Sequence, residues 1–71
     1  MATSKATRGK IGKNIRKGRK KSGYSQERLA ELVTISRTHM GHIEQGRRSP
    51  SLKTLVKIAK ALKVPLEELF K

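Results

Sequence analysis

The chain has 71 residues, enough for one small domain with a thin single core and no second lobe. It carries 18 lysines and arginines against 5 acids, a net charge of +13. A field of that sign attracts polyanions, nucleic acid first and anionic membrane second. There are no cysteines, which excludes disulfides and thiolate metal sites. No apolar run approaches the length of a membrane span, and no hydrophobic region follows the basic N-terminus as a secretory signal requires. An intracellular, cytoplasmic protein is expected. Neither a glycine-rich phosphate loop nor paired carboxylates at a cleft can be read, so no catalytic residue, enzyme activity or cofactor is expected.

Met1 to Arg8 shows no periodicity and no large apolar residue beyond Met1. It reads as part of a flexible basic N-terminal arm over residues 1–9, either an untethered terminus or a segment following a nucleic-acid groove. The folded domain is then 10–71. Ile11 and Ile15 stand at i, i+4 and predict a first helix from roughly Lys10 to Lys21, closed by Ser22 and Gly23. Nine of the 18 cations precede Gly23 and no acid appears before Glu27, so this helix must draw on packing rather than local propensity. Gly18 falls where the core stripe wants a side chain, at a cost of about 1 kcal/mol relative to Ala. Tyr24 is expected to lean into that gap.

Gln26 to Gly46 organises the chain. Ser25 is a plausible N-cap, and Leu29, Ala30, Leu32 and Val33 recur at helical spacing. Thr34-Ile35-Ser36 interrupts the stripe. Ser36 then caps a second helix, Arg37 to Gln45, ended by Gly46. Ala30 is small enough to let the two helices cross closely, which predicts a helix-turn-helix. At about 100° per residue, Ser36, Met40 and Ile43 face the core, while Thr38, Gly41, His42 and Gln45 face outward. Arg37 and His39 flank the outward set. Those residues suit base edges, although a solvated polar helix face has the same composition.

His39 and His42 stand at i, i+3, but zinc needs three or four ligands and nothing completes the set, so no metal is expected. Protonation of His42 beside phosphate would instead strengthen nucleic-acid binding in mild acid. Gly46 to Pro50 is a basic turn. Ser51 caps a helix from Leu52 to about Leu62, with Leu52, Leu55, Val56, Ala59 and Leu62 on one face and Ile58 broadening it. Lys53, Lys57, Lys60 and Lys63 point to solvent. Pro65 is expected at the first position of a last helix, Leu66 to Phe70, with Glu67 and Glu68 matching its dipole. The fold class is all-α, with five helices and no strand.

Three stretches, IGKNIRKGRKKSGYSQERLAE, SRTHMGHIEQGRRSPSLKTL and KIAKALKVPLEELF, together resemble the Cro/lambda-repressor-like (Xre-type) helix-turn-helix family. The resemblance covers Ile11 to Phe70, with Gln26, Ala30, Ile35, Met40 and Ile43 at the family's spacings. It implies a lambda-repressor-like DNA-binding domain. It also implies that Arg37, Thr38, Gly41 and His42 approach base edges, and that Gln26, Ser36 and Gln45 hold phosphates, with Arg47 and Arg48 just beyond. Arg19 and Glu44 match an ion pair found in some members, and helical geometry independently turns Glu44 toward the core. Gly18 replaces the usual Leu. Thr34 replaces a common turn Gly, and its backbone is expected to stay near helical values.

The expected function is a transcriptional regulator, a repressor or autoregulating controller, reading double-stranded DNA. It would bind a pseudo-palindrome as a homodimer, formed in solution or only on the DNA. The dimer contact is expected at an exposed apolar end made by Leu62, Leu66, Leu69 and Phe70. Localisation on the nucleoid follows, with no membrane or small-molecule partner. The alternative is a protein-interaction module of the same fold, antitoxin-like or bridging, with mainly non-specific nucleic-acid affinity.

Overall fold

Serines start every α-helix among the described residues, which in this computed structural model are 4–71. Ser4, Ser25, Ser36 and Ser51 lie in extended backbone, and their hydroxyl oxygens accept from the amides of Thr7, Arg28, His39 and Thr54 at 3.0 to 3.1 Å. Each such cap stabilises its helix by about 1 kcal/mol relative to Ala. The helices they open are α1 (Lys5–Lys21), α2 (Gln26–Leu32), α3 (Arg37–Glu44) and α4 (Leu52–Leu62).

All four end in the same way. The amide of the closing residue returns to a carbonyl three residues back, and the next amide reaches five residues back: Gly23 to Lys20 and Tyr24 to Arg19 at α1, Thr34 to Glu31 and Ile35 to Ala30 at α2. The pattern recurs at α3 (Gly46 to Ile43, Arg47 to His42) and at α4 (Lys63 to Lys60, Val64 to Ala59). This closure holds its residue in the left-handed region. Gly23 and Gly46 suit it, with φ of 80° and 76°, but Thr34 and Lys63 adopt it at 63° and 58°. The expectation of a near-helical Thr34 is corrected, because the hydrogen bonds that turn the chain toward Ser36 demand positive φ.

The first helix begins at Lys5, earlier than Lys10, because Ser4 caps it and its opening turns lie on the turn after α3. Arg8 Nε donates to the Gly46 carbonyl at 3.3 Å. A Cβ added to Gly46 would stand 3.0 Å from the Gly9 Cα. From residue 5 onward the expected flexible arm is therefore helix, and residues 1–3 lie outside the described ones. One turn further on, α1 crosses the end of α3 backbone to backbone. A Cβ on Gly12 would fall 2.4 Å from the Ile43 carbonyl oxygen, so only glycine fits.

The core gathers Ile11 and Ile15 from α1, Leu29 and Ala30 from α2, Val33 just after it, Met40 and Ile43 from α3, and Leu55, Ile58, Ala59 and Leu62 from α4. The gap at Gly18 is filled by Leu62, whose Cδ1 lies 3.0 Å from where a Cβ would be; Tyr24 packs at the core margin instead. Leu52 is 66% exposed, contrary to its assignment to the buried face of α4, since it stands at the helix start beyond the reach of its neighbours. Ser36 is exposed as a cap rather than buried.

The five-helix count is corrected, among the described residues, to four α-helices and a 3-10 turn, Leu66–Phe70. Pro65 precedes this turn in extended backbone rather than opening it, and its carbonyl accepts from the Glu68 amide at 3.0 Å. Five residues make too short a nucleus for a stable α-helix, and the tighter i, i+3 pattern wins. Asn14 Nδ2 donates to the Leu69 carbonyl at 3.0 Å, holding the turn against α1 and burying Leu69.

Candidate nucleic-acid interface

α2 packs against α3, with Ala30 of α2 buried at 2% exposure, and one side of α3 is left uncovered. Met40 and Ile43 fill the inner side. The outer side forms an open depression of about 400 Å³ lined by Gln26, Arg37, Thr38, Gly41, His42, Gln45 and Arg47. The structure thus brings together the four residues expected at base edges and three of those expected at phosphates. Ser36 and Arg48 do not line it. Both are exposed, Ser36 at the start of α3 with its hydroxyl bound to the His39 amide, and Arg48 in the following turn.

Behind the depression lies the only buried charged residue among those described, Glu44, at 8% exposure. Its Oε2 accepts from Arg19 Nε at 2.7 Å and its Oε1 from Arg19 Nη2 at 3.1 Å, a two-pronged pairing. Gln26 Nε2 adds a third bond to Oε1 at 3.2 Å, and Arg19 Nη1 donates to the Tyr24 carbonyl at 3.0 Å. A buried carboxylate needs such partners, because removing them would leave a charge without water. The network joins α1, the start of α2 and the end of α3. It therefore fixes how the outer face of α3 is presented.

Glycine at position 41 forms the floor. A Cβ there would lie 3.5 Å from Gln26 Oε1, an ordinary contact, so the fold itself does not require glycine. A missing side chain instead lowers the floor for whatever approaches. Arg37 and Arg47 bring guanidinium groups to its lining, and Gln26 and Gln45 bring side-chain amides. Such a surface offers hydrogen-bond donors to a polyanion and offers no apolar enclosure for a small ligand.

A residue that the pattern of α3 could not reveal is Arg16. It is exposed and joins Arg19, Gln26, Glu44 and Gln45 around a second depression of about 250 Å³. Its position one helical turn before Arg19 was the available signal. His39 is half-buried beside the face, and no group of three or more His, Cys, Asp or Glu among the described residues could hold a metal. At the other end of the molecule, Leu62 and Leu69 are 6% and 2% exposed. The expectation that they form an exposed dimer contact is corrected, since α1 already covers them. Leu66 is half-buried and Phe70 is 44% exposed.

Comparison with known proteins agrees with this geometry. Residues 15–69 match the family described as Helix-turn-helix. The chain is 40% identical over 61 residues to the SPbeta prophage-derived HTH-type transcriptional regulator YonR of Bacillus subtilis, covering 86% of this chain and 56% of YonR. It thus spans just over half of that relative's length. It is 40% identical over 62 residues to the control protein C.MunI of Mycoplasma sp, covering 86% and 84% of the two chains. The solved restriction-modification controller protein C.AhdI from Aeromonas hydrophila superposes with a TM-score of 0.87 at 40% identity, over 92% of this chain and 98% of that one.

Proposed function

Because the chain belongs to the helix-turn-helix family of DNA-binding transcriptional regulators, we propose that α3 enters the major groove of double-stranded DNA. Arg37, Thr38, Gly41 and His42 then meet base edges. The observation that carries this reading is their convergence on one open face with Gln26, Gln45 and Arg47 around it. Arg37 pairs with guanine O6 and N7, Thr38 meets a thymine methyl or donates to a base, and Gly41 admits close approach. Gln26, Ser36, Gln45, Arg47, Arg48 and Arg16 grip phosphates, which position the module without reading sequence.

The regulator is a repressor or an autoregulating controller; the latter is supported by likeness to C.MunI and C.AhdI, both named as controllers. It works as a homodimer on a pseudo-palindrome, because one module spans only a few base pairs, and two sit one helical turn apart, about 34 Å. Phe70, 44% exposed near the half-buried Leu66 in sequence, is the part of the expected contact still available for pairing. Each protomer carries +13, so pairing takes place on DNA, where phosphates cancel the repulsion. Its place of action is cytoplasmic, on the nucleoid.

Selection of bound sequences from random duplexes tests the proposal. Enrichment of a two-fold related motif is expected. Recovery of unenriched duplexes at every salt concentration would reduce the protein to a non-specific polycation.

A further inference from the structure

A third, shallow concave surface shares no residue with the face of α3. It measures about 460 Å³ and is lined by Tyr24, Leu32, Lys57, Lys60, Ala61 and Lys63. Leu29 in α2 and Val33 at its C-cap face the core, which turns Leu32 outward at 42% exposure. A single exposed Leu is ordinary, but this one stands over a floor shared with the half-buried Tyr24 and Ala61. A partner's apolar side chain gains burial in such a place.

The rim has one sign of charge. Lys57 and Lys60 are exposed one helical turn apart on α4, and Lys63 follows at its closing residue. None of the three takes part in the ion pairs among the described residues, which join Arg19 to Glu44, Arg28 to Glu31, and Lys71 to Glu68. The nearest acid in sequence to Leu32, Glu31, is thus occupied by Arg28. Lys63 also holds a left-handed backbone, φ 58°, where glycine would be less strained.

We propose that this groove docks an acidic protein segment carrying one bulky apolar side chain, and does so while DNA occupies α3. Apolar floor and lysine rim are each matched by that chemistry. A phosphate backbone would meet the lysines and leave the floor empty, and the same face of a second copy would set lysines against lysines.

The test uses the full chain and a fluorescein-labelled peptide of aspartates and glutamates around one phenylalanine, read by anisotropy. The peptide is expected to bind both free protein and protein saturated with duplex DNA. Replacing its phenylalanine by serine is expected to weaken binding about tenfold, as are Leu32→Ser and Lys60→Glu. Lys63→Gly is expected to raise the melting temperature yet weaken the peptide, a pairing that a merely structural role for Lys63 would not give. Equal affinity for the serine peptide, no effect of Leu32→Ser and Lys60→Glu, or complete displacement by duplex DNA would each overturn the proposal; displacement would return the groove to nucleic acid.

Discussion

Thr34 closes α2 with a φ of 63°, and a β-branched residue pays about 1–2 kcal/mol for that region. It is exposed, so replacing it removes no buried contact. Thr34→Gly is therefore expected to stabilise the fold by about 1 kcal/mol after the extra unfolded-state freedom of glycine is subtracted. Chemical denaturation checks this, and an unchanged midpoint would contradict it. Gly12 behaves oppositely. Gly12→Ala drives a methyl to 2.4 Å from the Ile43 carbonyl and is expected to cost about 3 kcal/mol, because backbone, unlike a side chain, cannot swing aside. These two positions also mark what could be read in advance. Gly23 and Gly46 announce left-handed closures by their identity, whereas Thr34 and Lys63 hide the same closure behind ordinary residues. Gly12 looked like any helical glycine, since the crossing that requires it depends on α3, distant in the chain.

At the level of elements, α3 serves both the core and the proposed reading face, and Glu44 holds it in register with α1. Glu44→Ala would leave Arg19 charged, only 12% exposed at its side chain and without its partner. The expected loss is about 3–5 kcal/mol, measurable by thermal melting. A loss below about 1 kcal/mol, the range of a surface pair, would show that the network does not fix the helix. Periodicity sufficed to locate α2, α3 and α4, because their buried residues recur at helical spacing and each start carries a serine. It failed at the ends. The opening of α1 presents no apolar stripe and is held by Ser4 and by contact with Gly46. Leu52 fits the stripe of α4 but sits too near the helix start to be covered. Pro65 and the turn after it follow i, i+3 geometry, which so few residues cannot distinguish in sequence from α. The outward set on α3 was legible because a single helix fixes it; Arg16, contributed by another helix, was not.

For the molecule as a whole, +13 on 71 residues opposes compaction and promotes binding to polyanions. Added salt screens both effects, so the two observables should move in opposite directions. The melting temperature of the free protein is expected to rise with sodium chloride, while the logarithm of its affinity for duplex DNA falls linearly with the logarithm of salt. Calorimetry and fluorescence anisotropy across one salt series check this. A flat affinity would remove phosphate contact as the main source of binding.

The central claim is that α3 separates reading from gripping, with Arg37 on a base and Arg48 on the backbone. The most direct measurement is the ratio of affinities for a selected site and for random duplex, in Arg37→Ala and in Arg48→Ala. Arg37→Ala is expected to lower that ratio by about 1–3 kcal/mol with little change on random DNA. Arg48→Ala is expected to weaken both duplexes alike and reduce the salt slope by about 1. Equal losses on both duplexes for Arg37→Ala would contradict the account.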